Sequence, residues 1–451
     1  MRDIAVTTLI FALLPFCLSK PWVGIVVWNW FGLMNPHRLT WGFAYSSIPF
    51  ALMIGGATLI GAIFAKDRRP IPWNRELKII AILLAYFAFT CFFAWVPEQA
   101  WIQFEKVFKV LLMTFVMTMF IYGKDRIRTL MLTVVFSLGF YAVKSMVYVV
   151  RTGGGGRIDG IPGSFLDGNT FMGLAFLMVA PLMITLARTE AKPWLRRALY
   201  TMAVLTFISI IFTYSRGAYV GLAAILPLVF LRAKSKVVAM CILVPTLLIA
   251  PYVIPDRAFE RVDALENYEQ ESSANQRLQA WTVAWNLALD RPLTGAGMEF
   301  EYSPNEGRWL SYGSEKYMWA HRTTSAAHSI YFQMLGHHGF VVFSLFIVLL
   351  LGTLFSLQRT KRLAEKNPDT AWIGPCASGL QIGMAGYMVS GAFLNSAYFD
   401  LAYLYIAISA VFRRELLPYM PVRPKWQSYG IATPVPSPTL SPQGRSGMLK
   451  K

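Results

Sequence analysis

Apolar runs recur along the chain from Ile4 to Phe412, separated by shorter polar stretches. Many are long enough to cross a hydrocarbon core about 30 Å thick as an α-helix. The pattern predicts about twelve spans, at 3–34, 42–65, 77–96, 107–122, 129–150, 172–188, 198–214, 217–231, 237–254, 330–357, 371–393 and 397–413. The first is too long for one helix and is interrupted at Ser19-Lys20-Pro21. Proline breaks a helix, so this run is either one broken span or two short ones, and crosses once or twice accordingly. The expected fold is all-α: a polytopic membrane protein of about twelve transmembrane helices with one large hydrophilic loop containing short helices.

The expected organisation is nine spans in 1–254, a loop domain in 255–328, three spans in 329–414 and a tail at 415–451. The tail is rich in Pro, Ser and Gly and lacks apolar periodicity, so it reads as disordered. Within the loop, Ser273-Ala274-Asn275-Gln276 fits a capping box, with Ser273 as N-cap and Gln276 at N3. Leu278, Trp281 and Trp285 then recur at helical spacing, and Asp290-Arg291-Pro292 ends the helix. The two tryptophans suit a bilayer interface.

Charge orients the spans. Of 451 residues only 15% are charged, yet the net charge is +18. The basic residues sit in short clusters between spans, such as Lys66-Arg68-Arg69, Lys124-Arg126-Arg128 and Arg196-Arg197. That distribution fits cytoplasmic loops under the positive-inside rule better than a nucleic-acid surface. Residues 255–328 hold 11 of the 24 acidic and 7 of the 42 basic residues, and so belong on the opposite, external side. No small-residue cleavage site follows the first apolar run, so no removable leader is expected. Cys17, Cys91, Cys241 and Cys376 all fall in apolar segments and read as packing residues.

Candidate chemistry gathers on that external side. Four of the five histidines, His321, His328, His337 and His338, lie where the loop meets the span beginning near Ile330. Histidine changes charge near neutral pH, and ionisable groups at a membrane mark functional sites by default. His328, at the mouth, suits a general base or an interfacial histidine bonded to backbone. In a regular helix His337 and His338 lie about 13–15 Å deeper and cannot share a small site with His328; hydrogen bonding within the bundle is the expectation for them. Arg277 opens the loop helix, where free N–H groups already favour an anion. Arg216 occupies a turn between two spans, Tyr214-Ser215-Arg216-Gly217. Its planar fork suits phosphate oxygens, and a snorkelling interfacial arginine is the alternative. Arg157, after the glycines 153–156, is a further anion contact, and Asn169 a polar lining residue. No HExxH, carboxylate cluster, P-loop or GxSxG elbow is present, so no catalytic metal, nucleotide or covalent serine is expected.

Together these features resemble the O-antigen ligase superfamily, which includes O-antigen polymerases and O-oligosaccharyltransferases. The resemblance rests on Ser215-Arg216-Gly217 between two spans, Asn275-Gln276-Arg277 through Trp281, Pro292-Leu293-Thr294-Gly295-Ala296-Gly297, and His328-Ser329 followed by Gly339, over about residues 40–415. Val342 departs from the small or aromatic residue usual at that point. The resemblance implies a metal-free, cofactor-free glycosyl transfer, with inversion at the anomeric carbon as the expected course. The donor would be a glycan on undecaprenyl pyrophosphate and the acceptor, for a ligase, the lipid A–core oligosaccharide. It would occur at the periplasmic face of the bacterial inner membrane, among membrane lipids and without nucleic acid. On this reading Arg216 and Arg277 bind the pyrophosphate with help from Arg157, His328 activates the acceptor hydroxyl, and His338 and Asn169 support them. A polymerase or a protein O-oligosaccharyltransferase would use the same motifs; a transporter or flippase is the alternative of another class.

Overall fold

The computed structural model describes residues 1–154, 156–232, 240, 244, 272–302, 306–317 and 324–419. The described elements are helices, with no strand among them. They are α1 (Arg2–Ser19), α2 (Pro21–Met34), α3 (Phe50–Phe64), α4 (Arg75–Cys91), α5 (Pro97–Phe120), α6 (Gly123–Arg151), α7 (Gly168–Ala187), α8 (Pro193–Ile211), α9 (Arg216–Arg232), α10 (Ser272–Asp290), α11 (Glu306–Leu310), α12 (Ile330–Ala364), α13 (Ile373–Ser390) and α14 (Asp400–Leu416). Met1–Leu416 form one compact unit; of the second unit, Leu417–Lys451, only a short turn of 3-10 helix, Leu417–Tyr419, falls among the described residues. The run at 237–254 lies almost wholly outside the described residues, as do His321 and Cys241.

Five described helices are long and apolar enough to cross a membrane: α1, α6, α7, α8 and α12. The first apolar run is two helices that meet at Lys20, with Pro21 opening α2 where its missing N–H costs nothing. The central helix is α7, whose residues from Met172 to Ala187 are all buried. It packs against α6, α8, α9 and α13. Apolar side chains on every side of such a helix face protein rather than lipid.

Several boundaries differ from the sequence expectation, and three of the differences bear on the site or its loop. The first is α5, which starts at Pro97, ten residues before the expected span, and carries Gln103, Lys106 and Lys109 within it. Its polar residues line a cavity together with Val110, Met113 and Met117, one helical face at spacings of three and four. Lysines are tolerated there because that face meets a cavity. The second is α10, which already includes Ser272 and Ser273, so Ser273 lies in the first turn and not at the cap. The third is the segment 394–399 between α13 and α14, which is irregular backbone.

Candidate active site

A cavity of about 790 Å³ opens between α2, α5, the loops before α7 and α12, and the α13–α14 connection. One part of its wall is apolar, with Phe31, Leu33, Met113, Met117 and Leu404. Another carries His328, Gln333, Glu299, Asn395, Ser396 and Lys106. A second cavity of about 850 Å³ between α1, α2, α6 and α8 is apolar apart from Thr129, Thr133 and Ser137, and offers no comparable chemistry.

His328 sits in the cavity wall two residues before α12, with left-handed backbone at φ 45°. Glu299 and Asn35, also in the wall, have φ of 59° and 45°. Non-glycine residues rarely adopt this region, and such strain clusters at functional sites. The His328 side chain is open to the cavity but ringed by protein. That burial, helped by the nearby Arg277 charge and opposed by Glu301, sets its pKa below the ordinary histidine value. A neutral imidazole can accept a proton. Burial, together with the neighbouring Glu301, raises the Glu299 carboxyl, while His337 and Lys106 oppose the rise.

A docked loop builds this wall. The α12 backbone is broken at Gly339, at φ 77° and ψ −170°. In a continuous helix Phe340 N–H would donate to Gly336 C=O; here it donates to Pro292 C=O at 2.8 Å. The released carbonyls are used by the loop: Ala296 N–H donates to Gly336 C=O and Gly297 N–H to His337 C=O, both at 2.9 Å. Gly295 and Gly297 have positive φ, and a Cβ on Gly339 would lie 2.3 Å from Pro292 O. The segment Pro292–Gly297 and Gly339, ten residues after Ser329 and far from that segment in sequence, therefore form one joint. Beyond it the chain delivers Glu299 and Tyr302 to the cavity and Glu301 to the interior.

Glu301, almost fully buried, ends a chain of hydrogen bonds. Its Oε2 lies 3.1 Å from His337 Nε2, and His337 Nδ1 lies 2.9 Å from Tyr398 Oη. Tyr398 Oη is 2.8 Å from His338 Nε2, whose Nδ1 is 2.7 Å from Thr90 Oγ1. Burial pushes Glu301 up, but the pairing with His337 and the bonds from His337 and Asn395 hold it below the usual carboxylate range. His337 and His338 are thus hydrogen-bonded in the bundle. They also clamp Tyr398, a residue of the cavity wall, so the depth that separates them from His328 along the helix is bridged by a third element.

The arginines are placed less uniformly. Arg277 is in the first turns of α10, which packs against α12; Trp281, one turn on, donates from Nε1 to Ala327 C=O at 2.7 Å and stacks on Phe332. The helix that carries Arg277 is thereby tied to the residue before His328, and the Arg277 charge reaches that histidine. Arg216 opens α9, capped by Ser215, whose Oγ accepts from Ala218 N–H at 3.3 Å. Ser215 is therefore a buried cap. The neighbouring Gly217 lies against Phe393 and Leu394, directly before Asn395 of the cavity wall. Asn169 supports this turn by donating to Thr213 C=O at 2.8 Å. Arg157 is exposed and paired with Asp159 at 3.0 Å. Neither Arg157, Arg216, Arg277, Asn169 nor His338 lines the cavity itself.

Residues 201–347 match the family described as O-Antigen ligase. Over this segment the chain belongs to the O-antigen ligase superfamily. Residues 1–191 match a family of unknown function (DUF5935). No curated protein matches the chain. The ligase-matching segment contains Arg216, Arg277, His328 and the Gly339 joint, whereas Lys106, Lys109 and Asn35 come from the other segment and Asn395 and Ser396 from neither. This O-antigen ligase superfamily member is a multi-pass membrane protein. Its cavity is assembled from all three parts of the chain. Sequence reading passed over Lys106, Glu299, Asn395 and Ser396. The one signal available was a charge at the edge of an apolar run, as at Lys106, and α5 extends past the point where hydropathy placed its start.

Proposed function

We propose that the protein transfers a glycan from undecaprenyl pyrophosphate to an acceptor hydroxyl, and that the acceptor is the lipid A–core oligosaccharide at the periplasmic face of the inner membrane. One observation carries this reading: a single cavity joins an apolar wall, suited to a lipid, to a polar wall holding His328. An amphiphilic donor needs both. His328 takes the proton of the acceptor hydroxyl as it attacks the anomeric carbon. Arg216 and Arg277 stabilise the charge that grows on the leaving pyrophosphate, and Arg157 contributes to anion attraction from outside. The bond from the anomeric carbon to the acceptor oxygen forms as that to the pyrophosphate oxygen breaks, with inversion and without a metal.

Ligation with purified lipid-linked glycan and lipid A–core tests this. Loss of one member of such a set typically costs 10²–10⁴-fold in rate. His328→Ala, Arg216→Ala and Arg277→Ala are each expected to lose at least about a hundredfold, and wild-type activity to persist in excess EDTA. Full activity in all three variants would overturn the assignment. Glycan lengthened on the carrier would make the protein a polymerase, glycan on a polypeptide a protein O-oligosaccharyltransferase, and counterflow without bond formation a transporter.

A further inference from the structure

The segment 394–399 combines two properties that conflict in a purely structural element. Irregular backbone within a membrane bundle survives only where it is buried in protein or lines a cavity. Here buried side chains satisfy it closely. Tyr387 Oη donates to Ser396 C=O at 2.9 Å, Ala397 N–H donates to Gln333 Oε1 at 2.9 Å, and Tyr403 Oη donates to Ala397 C=O at 3.0 Å. Asn395 Nδ2 donates to Glu301 Oε1 at 3.4 Å, and Tyr398 is held between the two histidines. Yet Asn395 Oδ1 and Ser396 Oγ are buried without a partner among the described residues, and Ser396 as a whole is only 3% exposed. Both residues line the cavity that holds His328. Unsatisfied buried oxygens are costly, and two in succession, on backbone this firmly held, indicate a preorganised site awaiting donors.

We propose that Asn395 and Ser396, with Gln333 and Glu299, form a binding subsite for sugar hydroxyls. This rests on the glycan-transfer reading above. The chemistry of the wall selects the ligand. The amide nitrogen of Asn395 faces a carboxylate, so its remaining group is an acceptor. Gln333 commits its oxygen to Ala397 and keeps Nε2 as a donor, while the Ser396 hydroxyl does both. A mixed set of neutral donors and acceptors matches hydroxyl groups, which also do both. Glu299 adds an acceptor that attracts hydroxyls and repels phosphate. The lysines of the cavity, Lys106 and Lys109, come from α5, and the charge of Lys106 reaches Glu299.

Ser396→Ala is the decisive variant. The oxygen it removes has no partner among the described residues, so a structural role predicts an unchanged or higher Tm and unchanged kinetics. The subsite predicts a rise in KM for one saccharide substrate of about three- to tenfold, the span of one neutral hydrogen bond, with kcat changed much less. Titrating the lipid A–core and the lipid-linked donor separately shows which sugar occupies the subsite. Asn395→Ala should raise the KM of the same substrate. Inhibition by inorganic pyrophosphate, which has no sugar hydroxyl, should be unaffected by either change. If both variants keep wild-type KM for both substrates, or weaken pyrophosphate inhibition instead, the subsite is overturned. His328→Ala, assayed alongside, separates the two ideas: its full activity would overturn glycan transfer by this site, whereas its inactivity beside unchanged KM in the other two overturns the sugar subsite alone.

Discussion

At the scale of single residues, His328 was legible from its place at the edge of an apolar run, and its left-handed backbone and position in the cavity wall were not. Its pKa lies below the ordinary histidine value because burial and Arg277 disfavour the imidazolium. A base acts when neutral. The acid limb of kcat/KM should therefore have its midpoint below about pH 6.5, the unperturbed value, with rate lost as pH falls through it. Arg277→Gln removes a neighbouring positive charge, so the residual activity of that variant should show the limb displaced to higher pH. A limb that stays in place, measured between pH 4.5 and 8, would mean that His328 is not the titrating base. Glu299 and Ser396 had no such signal: one acidic residue among eleven in a loop, and a serine between two apolar runs, look ordinary until the chain is folded.

At the scale of elements, most helices followed from hydropathy, because burial of apolar side chains sets where a helix can lie in a membrane. Of the boundaries that slipped, that of α5 adjoins the cavity. The α5 helix keeps its polar residues on one face, which averaging over a window conceals, and the capping box at Ser273 lost to a helix that starts at Ser272. The joint between Pro292–Gly297 and the break at Gly339 was present in sequence only as two separate glycine patterns. Its physical basis is an exchange of backbone partners, visible only when both strands of the exchange are in place. Gly339→Ala puts a Cβ against the Pro292 carbonyl in a conformation open essentially to glycine alone. The expected cost is on the order of 3 kcal/mol, read as a lower Tm in detergent together with loss of transfer. An unchanged Tm would show that the loop does not dock as described.

At the scale of the whole molecule, the cavity draws on α2 and α5 from the segment of unknown function, on His328 from the ligase segment, and on the α13–α14 connection. The proposed orientation places its mouth on the face opposite the basic loops. With Cys241 replaced by serine and the other three native cysteines, Cys17, Cys91 and Cys376, buried, a cysteine introduced at Asp159 should react with a membrane-impermeant maleimide applied outside. One at Arg197 should react only after permeabilisation, and the reverse pattern would invert the topology. By itself, the sequence determined that the chain is helical and apolar, which side its charge favours, and which arginines and histidine mark the family, because hydropathy, charge bias and motif spacing are local properties. Only the tertiary structure decided that Lys106, Glu299, Asn395 and Ser396 share a wall with His328, and that two histidines deep in α12 serve that wall through Tyr398. Those relations depend on contacts between residues up to some three hundred positions apart, and on backbone exchanges that no local pattern encodes.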